Sequence, residues 1–310
     1  MKIIEPSIEV LDNIDGQPIL KKIERIGRVC YKSENNITDD SAERFIKNII
    51  KNGHESVLEH VSISVRVICD RGVSHEIVRH RVASYSQEST RYNNYSKDKY
   101  GSELTFIKPV WIDVPLEILN MINPKFLMKA LDMGGKLNGI AEDEFMWIST
   151  MDAIECMYFS LLKKGWTPEQ ARSILPNSLK TEIVMTMNLR EWRQFLKLRT
   201  SNRAHPQTRE IANMILEAFK SKIPVVFDDI EESEKMLEPH EYMKNFNEAC
   251  NKFAISIVDH AYGEANSNEH MIEQFCCVLR AGLKWLKCEN VPLKEVKNNI
   301  PTVFDDIEVK

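Results

Sequence analysis

The sequence lacks both glycine-rich motifs that bind nucleotide phosphates through backbone N–H groups. Its eleven glycines form no GxGxxG and no GxxxxGK[ST] pattern, which excludes a Rossmann fingerprint and a P-loop. Its seven cysteines are odd in number and form no CxxC pair, so they predict neither a zinc knuckle nor a complete disulfide framework. Such cysteine usage is typical of a reducing cytoplasm. Any phosphate group must therefore be bound by side chains.

Long apolar runs and a strong overall charge are also missing. No stretch approaches the ~20 consecutive apolar residues of a membrane-spanning helix. The N-terminal segment MKIIEPSIEVLDNIDGQ carries acidic residues where a signal peptide would be apolar, so we expect a cytoplasmic protein that does not bind membranes. The 41 basic and 46 acidic residues give a net charge of −5, which does not favour a nucleic-acid partner. With 43% hydrophobic residues, the composition is that of a soluble globular chain.

Hydrophobic periodicity predicts a mixture of helices and strands. Residues 61–69, VSISVRVIC, alternate apolar and polar side chains over most of their length, which is typical of a half-buried strand. Residues 17–31 repeat apolar side chains every three to four positions, which predicts an amphipathic helix. Similar patterns predict helices over 41–51, 73–80, 141–163, 189–199 and 209–221, strands over 104–111 and 181–187, and a loop over 84–98.

Capping signals mark the starts of two helices. Thr167 and Gln170 have the spacing of a capping box, with Pro168 at the first helical position. Asn188 precedes LREWRQFLKLR and is predicted to cap that helix.

The acidic run EESEKMLE, beginning at residue 231, predicts a linker between two domains. We expect a first domain over 1–231 and a mainly helical extension of unknown role over 232–310, with helices near 242–261 and 269–288. The segment IPVVFDDIE at 223–231 recurs as IPTVFDDIE at 300–308. One short repeat does not establish a duplicated domain.

Two segments of this acidic protein are rich in arginine. Guanidinium groups suit bidentate binding of phosphate and of planar imide or carboxylate edges, although solvated surface ion pairs would have the same composition. The basic residues are Arg66, Arg71, Arg79, Arg81 and Arg91 in the first segment, and Arg190, Arg193, Lys197, Arg199, Arg203 and Arg209 in the second.

Two other functions, a metal hydrolase and a nucleic-acid-binding protein, have some support in the sequence. HESVLEH at 54–60 and HEIVRHR at 75–81 suggest a metal hydrolase, but their histidines stand six and five positions apart, whereas a zinc-binding helix uses i and i+4. Interleaved arginine and tyrosine over 79–92 would also suit single-stranded nucleic acid. That segment is short, however, and no long basic groove is predicted.

Residues 79–92, RHRVASYSQESTRY, carry the most specific pattern. Arg79, His80 and Arg81, followed after seven residues by Ser89, resemble the RHRx7S signature of the flavin-dependent thymidylate synthases. The segments GRVCY, HESVLEH, ARSILP and NLREWRQFLKLR also occur in that family's order. The resemblance covers about residues 20–230. The block 110–145 is longer than expected, which predicts an insertion there.

The resemblance implies an enzyme of de novo dTMP biosynthesis. The family converts dUMP to dTMP with 5,10-methylenetetrahydrofolate as one-carbon donor and NADPH as reductant, through bound FAD. It also implies an α/β (α+β) fold with an antiparallel or mixed sheet core and flanking helices. The resemblance further implies homotetramers with active sites at subunit interfaces. No metal is expected.

Site residues follow from their positions in the motifs. The family's arginine beside the uracil ring, which polarises or ionises N3, matches Arg199, and this is the expected catalytic residue. The flavin contacts match Ser56, Arg79, His80, Arg81, Gln87, Asn188, Leu189, Arg190 and Gln194. The nucleotide contacts match Glu76, Arg79, Gln87, Glu88, Ser89, Thr90, Arg91, Arg172 and Arg199.

Other reactive side chains receive less prominent roles. Cys69 ends an apolar strand face and is expected in the core, so the reaction should need no cysteine nucleophile. Ser89 has no local histidine and acid to activate it, which favours a substrate-binding hydroxyl. His80 is either a base or a flavin contact, and we favour the contact.

Two positions depart from the family pattern. Glu76 stands where many relatives have glutamine, so its carboxylate would repel the phosphate unless it turns toward a sugar hydroxyl or a neighbouring arginine. Gln194 occupies a helix position that is often asparagine or histidine. The register of His205, beyond Arg199, is not defined by the motifs.

Overall fold

A computed structural model describes residues 1–121 and 142–231 of the chain. The strands are β1 (Lys2–Ile4), β2 (Ser7–Val10), β3 (Ser62–Asp70), β4 (Ser84–Gln87), β5 (Thr105–Ile107) and β6 (Lys180–Asn188). The helices are α1 (Gly16–Arg28), α2 (Ser41–Lys51), α3 (Arg71–Ile77), α4 (Leu116–Met121), α5 (Glu142–Lys163), α6 (Pro168–Ala171), α7 (Leu189–Arg199), α8 (Pro206–Lys222) and α9 (Pro224–Phe227). A 3-10 helix spans Glu55–His60.

The described residues divide into two compact units. The first holds 1–112 and 153–231, and the second holds 113–121 and 142–152. The predicted extension over 232–310, its two helices and the second IPxVFDDIE copy lie outside the described residues, as does most of the predicted insertion. Those expectations therefore stay predictions.

A four-stranded antiparallel sheet in the order β2-β3-β6-β4 forms the centre of the first unit. Its longest ladder pairs β3 with β6, from Ser62 opposite Asn188 to Asp70 opposite Lys180. β1 and β5 form a separate parallel pair. The core sheet is therefore antiparallel, one of the two arrangements expected, and the parallel pairing lies in the separate sheet.

Alternation along the two long strands places the core on one face of the sheet. Val65, Val67 and Met185 are fully buried, while the side chains between them line the other, partly exposed face. Helices α1, α2, α7 and α8 contribute to the same apolar core. The Trp192 indole N–H donates to the carbonyl oxygen of Ile63 over 3.0 Å, which fixes α7 against the sheet.

Residues 84–87 correct one prediction. The polar segment 84–98 is predicted as a loop, but its first four residues form β4 and pair with β6. Tyr85 packs against the core while Ser84 and Ser86 are exposed, so a real strand alternation exists beneath a polar composition. The pairing with a distant strand supplies the backbone hydrogen bonds that local composition does not predict.

Other elements differ from their predictions mainly at the ends. The strand predicted over 104–111 is limited to β5, and Pro109 follows soon after. Helix α3 begins at Arg71 because the Asp70 carboxylate accepts the Val73 N–H over 2.6 Å and caps it. Helix α8 begins earlier than predicted, with Pro206 in its first turn.

The predicted caps are confirmed in the structure. Thr167 and Gln170 form a reciprocal capping box, and the Asn188 side chain accepts the Glu191 N–H over 2.9 Å. Among the described residues, no helix has the length and apolarity needed to cross a membrane.

The buried carboxyl group of Glu210 on α8 should make the free energy of unfolding depend on pH. Its Oε2 atom is buried and has no hydrogen-bond partner among the described residues. Burial raises the pKa of this carboxyl to about 7, with the Glu5 carboxylate adding to the shift and Lys108 opposing it. The folded state therefore holds a proton that the unfolded state loses from about pH 4.5 upward, so stability falls as the pH rises toward 7.

A Glu210→Gln variant should remove this pH dependence. The amide needs no proton, so at pH 8 the variant should exceed the parent in free energy of unfolding by about 3 kcal/mol, and at pH 5 the two should agree. Urea denaturation at both values measures this. The matched control is Glu217→Gln, an exposed position on the same helix. Equal gains in both variants, or no gain at pH 8, would contradict the role of Glu210.

Candidate active site

Arg199 ends α7 and joins it to α3 and the turn that follows. Its Nη1 donates to Glu76 Oε2 over 2.7 Å, and its Nη2 donates to the Glu76 carbonyl oxygen over 3.2 Å. Its Nε donates to His80 Nε2 over 3.0 Å. The structure thus brings together the expected catalytic residue and two of the predicted ligand residues. The Glu76 carboxylate turns toward a neighbouring arginine.

The Arg199 contact determines the state of His80. A guanidinium can only donate, so His80 Nε2 must be the unprotonated ring nitrogen. Burial lowers the pKa of His80, and the charge of Arg199 lowers it further. His80 is therefore neutral near pH 7, with its proton on Nδ1, which lies 3.6 Å from a Glu191 carboxylate oxygen. Because the Nε2 lone pair already accepts a hydrogen bond, the geometry favours a positioning contact over a general base.

Strand β4 contacts the end of α3 and the turn that follows it through the Tyr85 side chain. The Tyr85 hydroxyl lies 2.9 Å from the Ile77 carbonyl oxygen and 2.7 Å from that of His80. Burial raises the pKa of Tyr85 to about 12, with the Glu191 carboxylate adding to the shift, so the phenol stays protonated and can donate. This contact ties the backbone before Arg81 to the sheet.

Gln87 lies at the end of β4 and is held from inside the protein. Its Nε2 donates to Ser74 Oγ over 2.9 Å and to Thr181 Oγ1 over 3.2 Å. Because these bonds use the side-chain amide nitrogen, a ligand would contact the side-chain carbonyl oxygen of Gln87, Oε1. Sequence reasoning did not find Ser74 or Thr181.

The turn at residues 89–93, which follows β4, carries Ser89, Thr90 and Arg91, three of the predicted nucleotide contacts, and lies beside α6. Thr90 is buried, and its Oγ1 lies 3.4 Å from Arg172 Nη1. The Arg91 Nε lies 3.1 Å from Glu169, and both side chains are about half exposed. The Ser89 hydroxyl accepts the Arg91 N–H over 3.3 Å. Arg91 and Arg172, two of the predicted nucleotide contacts, thus both make contacts that connect this turn to residues 169–172.

A cavity of about 520 Å³ opens beside the start of α7. Asn188, Arg190 and Gln194, all predicted flavin contacts, line it together with residues of the 3-10 helix Glu55–His60. Arg190 pairs with Glu59 over 2.6 Å. The cavity therefore offers amide groups and a cation that already has an acidic partner.

The remaining predicted flavin contacts are either exposed or buried in the core. Ser56, Arg79 and Arg81 are exposed. The Leu189 side chain is fully buried in the core, and its N–H donates to the Val61 carbonyl oxygen over 2.9 Å. Any contact of Leu189 with a ligand would thus involve its backbone carbonyl group.

Cys69 lies in the apolar core, where it is 1% exposed. Burial raises the pKa of its thiol, with the Asp70 carboxylate adding to the shift, so it carries no thiolate at neutral pH. His205 stacks edge-on against Trp111 with ring centroids 5.9 Å apart. In the part of the chain that the structure describes, no group of three His, Cys, Asp or Glu side chains could hold a metal ion.

Comparison with known proteins identifies the family. A family model described as thymidylate synthase complementing protein matches residues 14–225, well over half of the chain. The chain belongs to the flavin-dependent thymidylate synthase family. The identification from the RHRx7S motif is thereby confirmed, as is the expectation of a flavin-dependent enzyme.

Curated relatives agree with this family. The flavin-dependent thymidylate synthase of Pyrococcus furiosus is 33% identical over 197 residues, which cover 63% of this chain and 70% of the relative. Those of Corynebacterium aurimucosum and Mycobacterium tuberculosis are each 30% identical, over 215 and 234 residues. These alignments cover 67% and 73% of this chain, and 78% and 84% of the respective relatives.

Solved structures share the fold. Thymidylate synthase X from Helicobacter pylori, crystallised with FAD and dUMP, superposes with a TM-score of 0.54 at 21% identity, covering 73% of this chain and 98% of its own. The UMP/dUMP methylase PolB from Streptomyces cacaoi, bound to 5-Br dUMP, gives the same TM-score and identity, covering 74% and 96%. The likeness confirms the predicted α/β fold of this flavin-dependent thymidylate synthase family.

Proposed function

We propose that this chain converts dUMP to dTMP, with 5,10-methylenetetrahydrofolate as one-carbon donor and NADPH as reductant through bound FAD. The observation that carries the proposal is the cluster of Arg199, Glu76 and His80, because it holds a guanidinium at the end of α7 among the family's ligand positions. Family membership and the two nucleotide-bound structural neighbours support the same substrate class.

Arg199 would activate the pyrimidine. Uracil C5 is a weak nucleophile until negative charge is drawn into the ring, and a cation fixed beside N3 and O2 stabilises that charge where it develops. The bonds from Arg199 to His80 and Glu76 hold the guanidinium in place before substrate arrives. With Cys69 buried in the core, this activation needs no thiol from that residue.

Arg91 and Arg172 would bind the nucleotide phosphate. Arg91 belongs to the turn that contains Ser89 and Thr90, and Arg172 contacts Thr90; the turn adds hydroxyl and backbone donors. A phosphate monoester near two negative charges is bound best by such charge-assisted hydrogen bonds. The exposed pair between Arg91 and Glu169 would open at a small free-energy cost, since exposed ion pairs contribute about 0–1 kcal/mol.

The residues beside the start of α7 fit a flavin. Asn188 and Gln194 would provide amide donors and acceptors for the polar edge of an isoalloxazine ring, and Arg190 would provide a cation for a diphosphate. The exposed Arg79 and Arg81 would add further cations. The flavin would supply the redox chemistry between NADPH and the one-carbon unit. The task of these side chains would be to bind it, orient it and exclude water.

A homotetramer would complete the site. Ser56, Arg79 and Arg81 are exposed on this chain, which supports a site where other subunits cover the ligands. We also place the enzyme in the cytoplasm, where reduced cysteines are stable. Size-exclusion chromatography with light scattering would measure the assembly.

Three measurements test the proposed function. The purified protein should be yellow, and NADPH should bleach it without oxygen. With dUMP and methylenetetrahydrofolate it should then form dTMP, detected by chromatography, and its gene should let a bacterium without thymidylate synthase grow without thymidine. A colourless protein that binds nucleotide would indicate a binding function only, and a flavoprotein that forms no dTMP would refute the substrate assignment.

A further inference from the structure

We infer that Lys180 is a positioning residue for nucleotide binding, which acts through Glu88 on the phosphate-binding turn. This inference rests on the proposed function, because it concerns how the same site holds dUMP. Lys180 begins β6 and lies outside every motif of the sequence analysis. Its effect would be exerted at a distance, without contact with the substrate.

The ion pair between Lys180 and Glu88 is well shielded. Lys180 Nζ lies 3.0 Å from Glu88 Oε2 and 2.5 Å from Glu182 Oε1. The Lys180 and Glu88 side chains are only 18% and 13% exposed. Water screens such a pair less than it screens a surface pair, so the loss of one partner would leave a poorly hydrated charge.

The other oxygen of Glu88 binds the far end of the turn. Its Oε1 accepts Asn93 Nδ2 and the Tyr95 hydroxyl, each over 3.3 Å. The Glu88 backbone N–H donates to the Glu182 carbonyl oxygen over 2.8 Å. Glu88 thus fixes the chain on both sides of the turn to the end of the sheet.

The segment between these attachments contains the phosphate-binding groups. The Asn93 N–H donates to the Ser89 carbonyl oxygen over 3.1 Å, which closes the turn. Within it lie Thr90 and Arg91, the first of which contacts Arg172. Holding these donors in one geometry before binding lowers the entropic cost of capturing a phosphate.

The same geometry changes the expected role of Glu88. Both of its carboxylate oxygens accept hydrogen bonds from the protein, so Glu88 acts toward the interior rather than on the nucleotide. Without Lys180, the carboxylate would lose its cation at a place where a dianionic phosphate must bind. Weaker nucleotide binding follows both from a looser turn and from charge repulsion.

The test is a Lys180→Met variant of the full chain, assayed with dUMP. We expect the KM for dUMP and its calorimetric Kd to rise about tenfold, while kcat stays within about twofold and flavin binding is unchanged. Lys180→Arg should restore most of the binding, since it keeps the cation. Lys108→Met is the matched control, because Lys108 is 16% exposed and pairs with Glu5 over 3.2 Å away from the turn.

A double-mutant cycle separates this role from simple stabilisation of the fold. In a Glu88→Gln background, Lys180→Met should change the Kd for dUMP much less than it does in the parent. Unchanged Kd in Lys180→Met, or an equal rise in Lys108→Met, would overturn the inference. A parent protein that binds dUMP but forms no dTMP would refute the proposed function, and the calorimetric comparison would still decide the role of Lys180.

Discussion

Replacing Arg199 with alanine should lower kcat for dTMP formation by about 100-fold or more and leave the fold intact. Removal of one preorganised donor from a developing negative charge typically costs 100- to 1000-fold in kcat. The Arg199 side chain is partly exposed and, among the described residues, bonds to Glu76 and His80, so its loss should have little effect on unfolding. Initial rates at saturating dUMP measure the change.

Two further variants define what Arg199 contributes. Arg199→Lys keeps a cation but loses the planar fork, so its activity should stay far below that of the parent. Arg25→Ala, at an exposed position of α1, should retain normal turnover. Flavin reduction by NADPH should persist in Arg199→Ala. Normal dTMP formation by that variant would show that another group activates the pyrimidine.

Replacing Arg193 with methionine should cause the largest loss of stability. Its guanidinium is 1% exposed and donates to Glu55, to both carboxylate oxygens of Asp229 and to the Val226 carbonyl oxygen. Breaking a buried ion pair by removing one partner costs about 3–5 kcal/mol. We expect about 3 kcal/mol in urea denaturation, because Asp229 is 44% exposed and water can partly replace the arginine.

Arg190→Met is the matched control for this prediction. Arg190 lies on the same helix and also pairs with a glutamate, Glu59, but both side chains are about half exposed. Its replacement should change the free energy of unfolding of the flavin-free protein by less than about 1 kcal/mol. Similar losses in the two variants would mean that burial does not set the strength of these pairs.

The long elements of the fold could be predicted because their sequence patterns are local. The alternation of β3 and the Asn188 cap of α7 are visible within about ten residues, and both match the structure. Strand β4 could not be predicted in this way. Its serines face solvent, and the pairing that makes it a strand joins Ser84 to Thr186, which are far apart in the sequence.

In the candidate site too, local motifs could be predicted from the sequence but contacts between distant segments could not. Motif positions predicted which residues are candidates, but they contain no information about which donors and acceptors are already used inside the protein. The bonds from Arg199 to Glu76 and from Lys180 to Glu88 each join segments about a hundred residues apart. Glu191, which faces His80, gave no signal beyond its place in a helix with regular apolar spacing.

The orientation of Glu76 has a consequence for the choice of ligands. A pyrimidine that accepts the Arg199 Nη1–H now donated to Glu76 would have to replace that carboxylate, whose oxygen lies 2.7 Å away. An uncharged ring would separate an ion pair and offer no charge in exchange, whereas a ring that releases its imide proton exchanges one counter-ion for another. On the proposed function, this glutamate would therefore favour a heterocycle with an acidic imide proton.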